Sequence, residues 1–268
     1  MTYPFLKGHG TENDFVLLPD HDGSVHGDLA AERVRALCDR RAGIGADGVL
    51  RVLRTADPAA AGAEWFMDYR NADGSLSEMC GNGLRVFVRH LVDEGLVPAG
   101  ELVPVATRDG VKVCLVEGHL VTLDMGAPRV LGETSVTVGE RSWPALQIDM
   151  GNPHAVAFVD DLADAGPLLE APGHDPAVFP DGVNVEFVVR RADGHVAMRV
   201  HERGSGETRS CGTGACAVMV AASRLDEAPG PSSYRVDVPG GSLRVTWTDD
   251  RVLLTGPAVI VARGETDL

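Results

Sequence analysis

Two cysteines occupy equivalent positions in two glycine-rich motifs of the sequence. Cys80 lies in MCGNG (79–83) and Cys211 in SCGTG (210–214), and each motif joins a polar loop to an apolar run. This pattern predicts a loop that enters a buried helix, with the cysteine at the helix start. Because free backbone N–H groups and the helix dipole favour negative charge there, we expect a lowered pKa for both thiols. Either motif alone is more typical of a structural turn with a buried cysteine.

The two motifs belong to a longer internal repeat. Cys211 lies 131 positions after Cys80, and the same offset relates Met198 to Met67 and Val236 to Val105. Two short alternating runs follow in each case, within residues 111–128 and 243–258. Since few residues are identical, the repeat depends on pattern more than on identity. We infer two related halves, each of which presents one cysteine at a helix start.

Two such cysteines could bind a metal, form a redox pair or act as paired acid–base groups. Other soft ligands are not at metal-ligand spacing, and the CxxC spacing usual in redox catalysis is absent. A racemase or epimerase, by contrast, needs a proton acceptor on one face of a carbon and a donor on the other. The acid–base interpretation therefore fits best. Backbone N–H groups beside the cysteines could hold a substrate carboxylate, and they belong to Gly81, Asn82, Gly212 and Thr213.

Alternating apolar runs predict a mixed or antiparallel sheet in each half. Predicted strands cover 15–18, 49–53, 65–69, 102–106, 111–116 and 120–123, then 155–159, 185–189, 196–200, 234–238, 243–248 and 252–255. Predicted helices cover 29–41, capped by Asp28, together with 83–94, 162–170 and 215–225. We expect an α+β fold in which each sheet curls around one apolar helix. The expected domains are 1–126, completed by a last strand within 258–268, and 127–257.

Composition limits the partners and cofactors. The chain has 268 residues and a net charge of −15 without a basic run, which disfavours nucleic acid and anionic membranes as partners. Lys7 and Lys112 are the two lysines, and this scarcity disfavours a pyridoxal phosphate enzyme. An odd number of cysteines without CxxC spacing disfavours a disulfide framework and a zinc site. No apolar run reaches the length of a membrane span and no signal-peptide pattern is present, so we expect a cytoplasmic protein without cofactor or metal.

Seven stretches of the sequence carry a family resemblance. They are HGTENDF (9–15), RRAGIGADG (40–48), NADGS (71–75), MCGNG (79–83), MGNPHAV (150–156), GVNVEF (182–187) and ERGSGETRSCGTGACA (202–217). At these residues, which span nearly the whole chain, the sequence resembles the diaminopimelate epimerase family. The resemblance implies two pseudo-symmetric α/β domains of that family's type, with the active site in the cleft between them.

The resemblance also implies an activity and a set of site residues. The implied enzyme interconverts LL- and meso-2,6-diaminopimelate without pyridoxal phosphate, in lysine and peptidoglycan precursor biosynthesis, with Cys80 and Cys211 as a thiolate–thiol pair. A homodimer is a candidate assembly. Substrate contacts of the family fall on Asn13, Asn71, Gly81, Asn82, Asn152, Asn184, Glu202, Arg203, Gly212 and Thr213. His154 and Glu202 correspond to residues that tune the thiols.

The sequence departs from the family pattern at three positions, and alternatives remain. Glu12 replaces a common glycine, Gly48 stands where some members carry glutamine, and His201 stands where an aromatic residue is expected. A proline racemase or hydroxyproline epimerase is the main alternative, although these tend to carry MCGHG in place of MCGNG. A phenazine-biosynthesis-type isomerase lacks the cysteine pair. A non-catalytic binding protein on the same scaffold is disfavoured because both cysteines are retained.

The other cysteines and histidines have no partner pattern. Packing roles are expected for Cys38, Cys114 and Cys216. Surface or loop positions are expected for His9, His21, His26, His90, His119, His174 and His195.

Overall fold

A computed structural model describes residues 2–227 and 231–268, and the chain divides into two compact units. The first unit comprises Met1–Leu123 and Gly256–Leu268, and the second comprises Asp124–Thr255. Within the described residues the α-helices are α1 (Ala31–Cys38), α2 (Pro58–Ala61), α3 (Gly81–Asp93) and α4 (Gly212–Leu225), and Leu162–Ala165 forms a 3-10 turn. None of these helices has the length and apolar character needed to cross a membrane.

Strands make up most of the remaining ordered chain. The first seven are β1 (Tyr3–Gly10), β2 (Asn13–Pro19), β3 (Gly48–Arg54), β4 (Trp65–Asn71), β5 (Leu102–Thr107), β6 (Gly110–Glu117) and β7 (Leu120–Asp124). The next seven are β8 (Arg129–Val138), β9 (Arg141–Asp149), β10 (Pro153–Phe158), β11 (Gly173–His174), β12 (Asn184–Ala192), β13 (His195–Glu202) and β14 (Gly206–Thr208). The last four are β15 (Ser232–Val238), β16 (Gly241–Trp247), β17 (Val252–Pro257) and β18 (Val259–Thr266).

Strand directions in the second unit repeat those in the first. In the first unit β1–β2 is antiparallel, β2–β3 parallel, β3–β4 antiparallel, β4–β5 parallel and β5–β6 antiparallel. The second unit follows the same order through β9, β10, β12, β13, β15 and β16. Even the register agrees, because Trp65 pairs with Val105 and Val196 pairs with Val236, at the offset of 131 found in the sequence. The predicted repeat of an α+β sheet fold is therefore confirmed.

One buried helix lies against the sheet in each unit. Helix α3 is buried from Gly81 to Val88, and α4 is buried from Gly214 to Ser223. Both predicted central helices are confirmed, but each begins two to three residues earlier than the apolar pattern suggested. The reason is that the preceding cysteine caps the helix, which lets the glycine-containing first turn become helical.

The final strand belongs to the first unit. Strand β18 pairs antiparallel with β1, from Tyr3 opposite Thr266 to His9 opposite Val259. In addition, the Tyr3 hydroxyl donates a hydrogen bond to the carbonyl of Leu268.

Several local predictions were wrong. Helix α1 starts at Ala31, and the residue at its N-cap is Ala30, which has no capping side chain, rather than Asp28. The reason is that the buried Leu29 takes a left-handed φ of 44°. The predicted helix 162–170 is a single turn, Leu162–Ala165, and Gly166, whose φ is 63°, follows it as the C-cap residue. The strands β1, β8, β9, β11 and β14 were not predicted. In β8 most side chains are exposed, so the sequence shows no apolar alternation.

The remaining cysteines and histidines differ in whether their side chains are buried. Cys38, Cys114 and Cys216 are buried as predicted, and burial raises the pKa of Cys38 to about 11. The surface prediction was wrong for His26 and His90, which are buried. His90 lies on the inner face of α3, where its burial costs the charged form and lowers its pKa to about 4.

Candidate active site

Cys80 lies at the start of α3, next to two of the predicted binding residues. Its backbone is extended, and its Sγ accepts a hydrogen bond from the Gly83 N–H at 3.4 Å. The thiol also lies 3.7 Å from Asn13 Oδ1, an oxygen that accepts a second hydrogen bond from Asn82 Nδ2 at 3.2 Å. The structure thus brings Cys80, Asn13 and Asn82 together at the beginning of β2 and α3.

A network of charged residues holds Asn13 in place. Its Nδ2 donates to Asp47 Oδ2 at 2.7 Å, and Arg40 contacts the carboxylates of both Asp47 and Asp14. Lys7 contacts Asp14 at 2.6 Å. Burial alone would raise the pKa of Asp14, but the hydrogen bonds and charges of Arg40 and Lys7 outweigh it and hold the pKa well below its usual range. These supporting residues were not predicted from the sequence, although they lie in or beside the stretches that carried the resemblance.

Asn71 lies at the end of β4, where its backbone pairs with Gly48 of β3. Its side-chain amide donates to Ser75 Oγ at 3.0 Å. Gly48 shows why one departure from the family pattern matters: a Cβ there would lie 2.5 Å from the Arg70 carbonyl oxygen. A glutamine at this position would therefore require the backbone to move.

Cys211 repeats the geometry of Cys80 in the second unit. It is the residue before α4, and its Sγ accepts a hydrogen bond from the Gly214 N–H at 3.4 Å. The Thr213 hydroxyl lies 3.5 Å from the same sulfur. The two cysteines differ in exposure, since Cys211 is buried whereas Cys80 is half-buried. In both helices the first-turn N–H groups have no acceptor within the helix itself, which makes each start suitable for a carboxylate.

The expected lowering of the thiol pKa is wrong for Cys211. Burial raises its pKa well above the ordinary value, and the nearby carboxylates of Glu202 and Glu186 raise it further. Hydrogen bonds from Thr213 and Gly214 act in the opposite direction but do not compensate. At neutral pH Cys211 is consequently a thiol, which suits a proton donor.

The other predicted residues of the second unit gather at the ends of β10, β12 and β13. The Asn152 Oδ1 lies 3.0 Å from His154 Nε2, and Asn184 Nδ2 donates to the Pro153 carbonyl at 3.2 Å. Asn184 Oδ1 accepts the backbone N–H of Arg203 at 2.8 Å. His154 of β10 pairs with Asn184 of β12, so the sheet register brings this cluster together.

Glu202 and Arg203 close the same cluster from the end of β13. Glu202 Oε1 accepts a hydrogen bond from the Thr208 hydroxyl, and its carboxylate contributes to the electrostatics of Cys211. The exposed Arg203 guanidinium donates to the Asp181 carbonyl at 3.3 Å. His201, the third departure from the family pattern, pairs with Val185 and so points to the opposite face of the strand from Glu202.

Glu186 is a site residue that was not predicted from the sequence. Its Oε1 lies 2.6 Å from His154 Nδ1, and both side chains are completely buried. The available signal was a glutamate within the otherwise apolar run VEFVV (185–189), at a strand position that faces the core. Among residues 2–227 and 231–268, no group of three or more His, Cys, Asp or Glu residues is placed to hold a metal ion.

Comparison with solved structures defines the class of fold. A phenazine biosynthesis protein of the PhzF family from Bacillus anthracis is similar, with a TM-score of 0.73, 16% identity and coverage of 100% of both chains. A hydroxyproline epimerase from Agrobacterium vitis has a TM-score of 0.68, 17% identity and coverage of 99% of this chain and 92% of that one. The chain therefore has the fold that these proteins share.

Sequence comparison identifies the family within that fold. The family model described as diaminopimelate epimerase matches residues 5–131 and 146–261. A diaminopimelate epimerase from Streptomyces coelicolor is 60% identical over 277 residues, which cover 98% of this chain and 95% of that protein. The chain belongs to the diaminopimelate epimerase family, a family of isomerases.

Proposed function

We propose that the protein interconverts LL- and meso-2,6-diaminopimelate without a cofactor, as a cytoplasmic enzyme of lysine and peptidoglycan precursor biosynthesis. The observation that carries this proposal is the repeated geometry of Cys80 and Cys211. Each thiol caps a buried helix and accepts the N–H of the third helical residue at 3.4 Å. Membership of the family supplies the substrate.

In the proposed reaction the two thiols act on opposite faces of one carbon. In one direction the Cys80 thiolate removes the α-proton and the Cys211 thiol donates its proton to the other face. Cys80 then carries a proton and Cys211 is a thiolate, and the reverse direction uses the opposite starting state. The negative charge that develops on the substrate spreads into its α-carboxylate, where the N–H groups of the two helix starts stabilise it. The raised pKa of Cys211 supports its role as the initial donor in the first direction.

The remaining predicted residues suit the distal end of the substrate, a second amino acid group. Arg203 can bind its carboxylate with two parallel hydrogen bonds, and Glu202 can accept from its ammonium group. The fixed positions of Asn152 and Asn184, each held by a hydrogen bond within the second unit, support this assignment. Proline and hydroxyproline have no distal amino acid group, so these residues favour diaminopimelate over the main alternative.

The proposal places the substrate between an N-terminal domain, 1–126 with 258–268, and a C-terminal domain, 127–257. It therefore requires Cys80 and Cys211 to approach each other when the site is empty. Mild oxidation should then join them in a disulfide that a reducing thiol reverses, and peptide mapping identifies the bonded pair. A bridge that involves Cys38 or Cys114 while activity is retained would show that the wrong pair was chosen.

Isotope incorporation tests the two-base reaction. In heavy water, early product should carry deuterium at the inverted carbon while recovered substrate remains largely unlabelled, because the returning proton comes from an exchanged thiol. Cys80→Ala and Cys211→Ala should each abolish inversion, since either change removes the proton carrier of one face. Cys38→Ala is the matched control, because this buried thiol lies in α1. Early product that retains its original hydrogen, together with an active Cys80→Ala enzyme, would refute the assignment.

A further inference from the structure

Glu186 and His154 form a buried pair, of which the family resemblance assigns only His154 a part in tuning the thiols. They lie on the neighbouring parallel strands β12 and β10, and both side chains are completely inaccessible. In the strand register Glu186 stands opposite Val156, two residues after His154, so both polar side chains point to the same face. That face packs against α4, the helix that Cys211 begins. The pair therefore lies on the sheet face that contacts the helix begun by Cys211.

The hydrogen bonds of His154 determine how many protons the pair holds. Its Nε2 faces the acceptor Asn152 Oδ1 at 3.0 Å, so Nε2 carries a hydrogen. The 2.6 Å contact between Nδ1 and Glu186 Oε1 then requires one further proton, which either atom can hold. Imidazolium with carboxylate and imidazole with carboxylic acid are both neutral overall. The pair therefore shares one proton at constant net charge.

Burial makes both placements of that proton accessible. Glu186 Oε2 is buried without a hydrogen-bond partner among residues 2–227 and 231–268, which makes a permanently ionised carboxylate costly. Burial accordingly raises the pKa of Glu186, against the opposing effect of His154. The imidazole nitrogen is close enough to take the proton back.

Gly214 brings this pair next to the Cys211 thiol. A Cβ at position 214 would lie 2.7 Å from Glu186 Oε1 and 3.3 Å from Cys211 Sγ. The carboxyl oxygen and the sulfur therefore both border the space that a Cβ at position 214 would occupy. A charge on one atom must affect the other strongly, because both are buried.

We propose that Glu186 and His154 compensate the change in charge at Cys211 by moving their shared proton. The proton lies on His154 Nδ1 while Cys211 is a thiol, and it moves to Glu186 Oε1 when Cys211 becomes a thiolate. One N–H bond breaks and one O–H bond forms, and no other reactant is needed. The occurrence of this step during turnover rests on the proposed epimerase function. Glu186 is a positioning residue here, because it acts through the thiol.

The other groups around Cys211 cannot replace this compensation. Glu202 of β13 is a second carboxylate that opposes a thiolate, whereas the Thr213 hydroxyl and the Gly214 N–H favour one. The Arg203 guanidinium bonds to the Asp181 carbonyl, and His201 faces the opposite side of β13. Without the shared proton, a Cys211 thiolate would lie beside two carboxylates.

Nitrogen-15 spectra of labelled histidine test the proton transfer without any need for catalysis. The His154 signals are assigned with a His154→Asn variant, and cysteine labelled with carbon-13 at Cβ reports the ionisation of Cys211 in the same sample. As pH rises, His154 Nδ1 should change from a protonated to an unprotonated shift together with Cys211. In Cys211→Ala this coupled change should disappear. A His154 signal that stays constant while Cys211 ionises, or that changes equally in Cys211→Ala, would overturn the proposal.

Kinetics of Glu186→Gln test the consequence for turnover. The amide matches the carboxyl group in size and can donate to Nδ1, but it cannot release its proton. We expect kcat to fall on the order of tenfold or more in both directions, with KM changed less than about twofold. Glu133→Gln, the same change at an exposed position of β8, should behave as wild type. Unchanged kcat in Glu186→Gln would refute the role in turnover, whereas wild-type protein inactive on diaminopimelate would refute the proposed function and leave the spectroscopic test decisive.

Discussion

Gly214→Ala should lower the free energy of unfolding of the protein, whereas the equivalent Gly83→Ala should change it little. Both glycines are the third residue of a central helix, and both donate their N–H to a capping cysteine, which alanine leaves intact. At Gly214 the added Cβ would lie 2.7 Å from Glu186 Oε1, well inside van der Waals contact. At Gly83 the nearest atom is a methyl carbon of Leu50 at 3.1 Å, and this flexible side chain can withdraw by a few tenths of an ångström.

The magnitudes follow from these contacts. Alanine stabilises a helix relative to glycine by about 1 kcal/mol at either position. At Gly214 this gain is opposed by overpacking, which costs about 1–3 kcal/mol, and by disruption of the charged hydrogen bond to His154, which costs about 1.5–3 kcal/mol. We therefore expect a net loss of about 1.5–5 kcal/mol in the free energy of unfolding for Gly214→Ala. For Gly83→Ala we expect a change within about 1 kcal/mol.

Urea denaturation with tryptophan fluorescence and circular dichroism measures both free energies, and the deuterium assay measures activity. Gly214→Ala should also lose most of its activity, because Glu186 and the thiol are displaced together. Equal stability and full activity of the two variants would refute the close approach of Glu186, Gly214 and Cys211. A selective loss in Gly83→Ala would show that the first unit is the more tightly packed of the two.

Three further predictions concern stability and binding. The ring nitrogens of His90 are buried without a partner among the described residues, and burial lowers its pKa to about 4. Because the unfolded chain then binds a proton more readily than the folded chain, the free energy of unfolding should fall as pH drops from about 6.5 to 4. His90→Leu should remove this dependence, and the free energy of unfolding at pH 5 should rise by about 2 kcal/mol. Glu12→Gly should raise the melting temperature through a gain of about 1 kcal/mol, because Glu12 has a left-handed φ of 63°. Arg203→Lys should raise the KM for diaminopimelate roughly tenfold or more, because lysine lacks the planar fork of arginine.

A specific result would contradict each of these three predictions. A His90→Leu protein with the wild-type pH dependence would assign acid sensitivity to another group. A Glu12→Gly protein that melts earlier than wild type would mean that contacts of the Glu12 side chain outweigh the backbone strain. Unchanged kinetics in Arg203→Lys would place the distal carboxylate of the substrate elsewhere. Arg209→Lys, at the exposed position that follows β14, is the matched control for that measurement.

The sequence alone determined the features that depend on local pattern. The offset of 131 residues predicted two related sheets and two capped helices, because strand alternation and helix starts are set by neighbouring residues. It also placed Cys80 and Cys211 at the helix starts, and the resemblance named the family. By contrast, local pattern misplaced the start of α1, because the left-handed turn at the buried Leu29 depends on packing with residues distant in sequence.

Tertiary structure alone decided the electrostatics of the Cys211 thiol. The helix start predicts a lowered pKa for Cys211, but burial and the carboxylates of Glu186 and Glu202 raise it, and those residues lie on strands that only the sheet register brings near the helix. The pairing of Glu186 with His154 has the same origin, since 32 positions separate the two residues in the chain. Sequence pattern specifies which elements form, whereas the charge state of a buried group depends on every element packed around it.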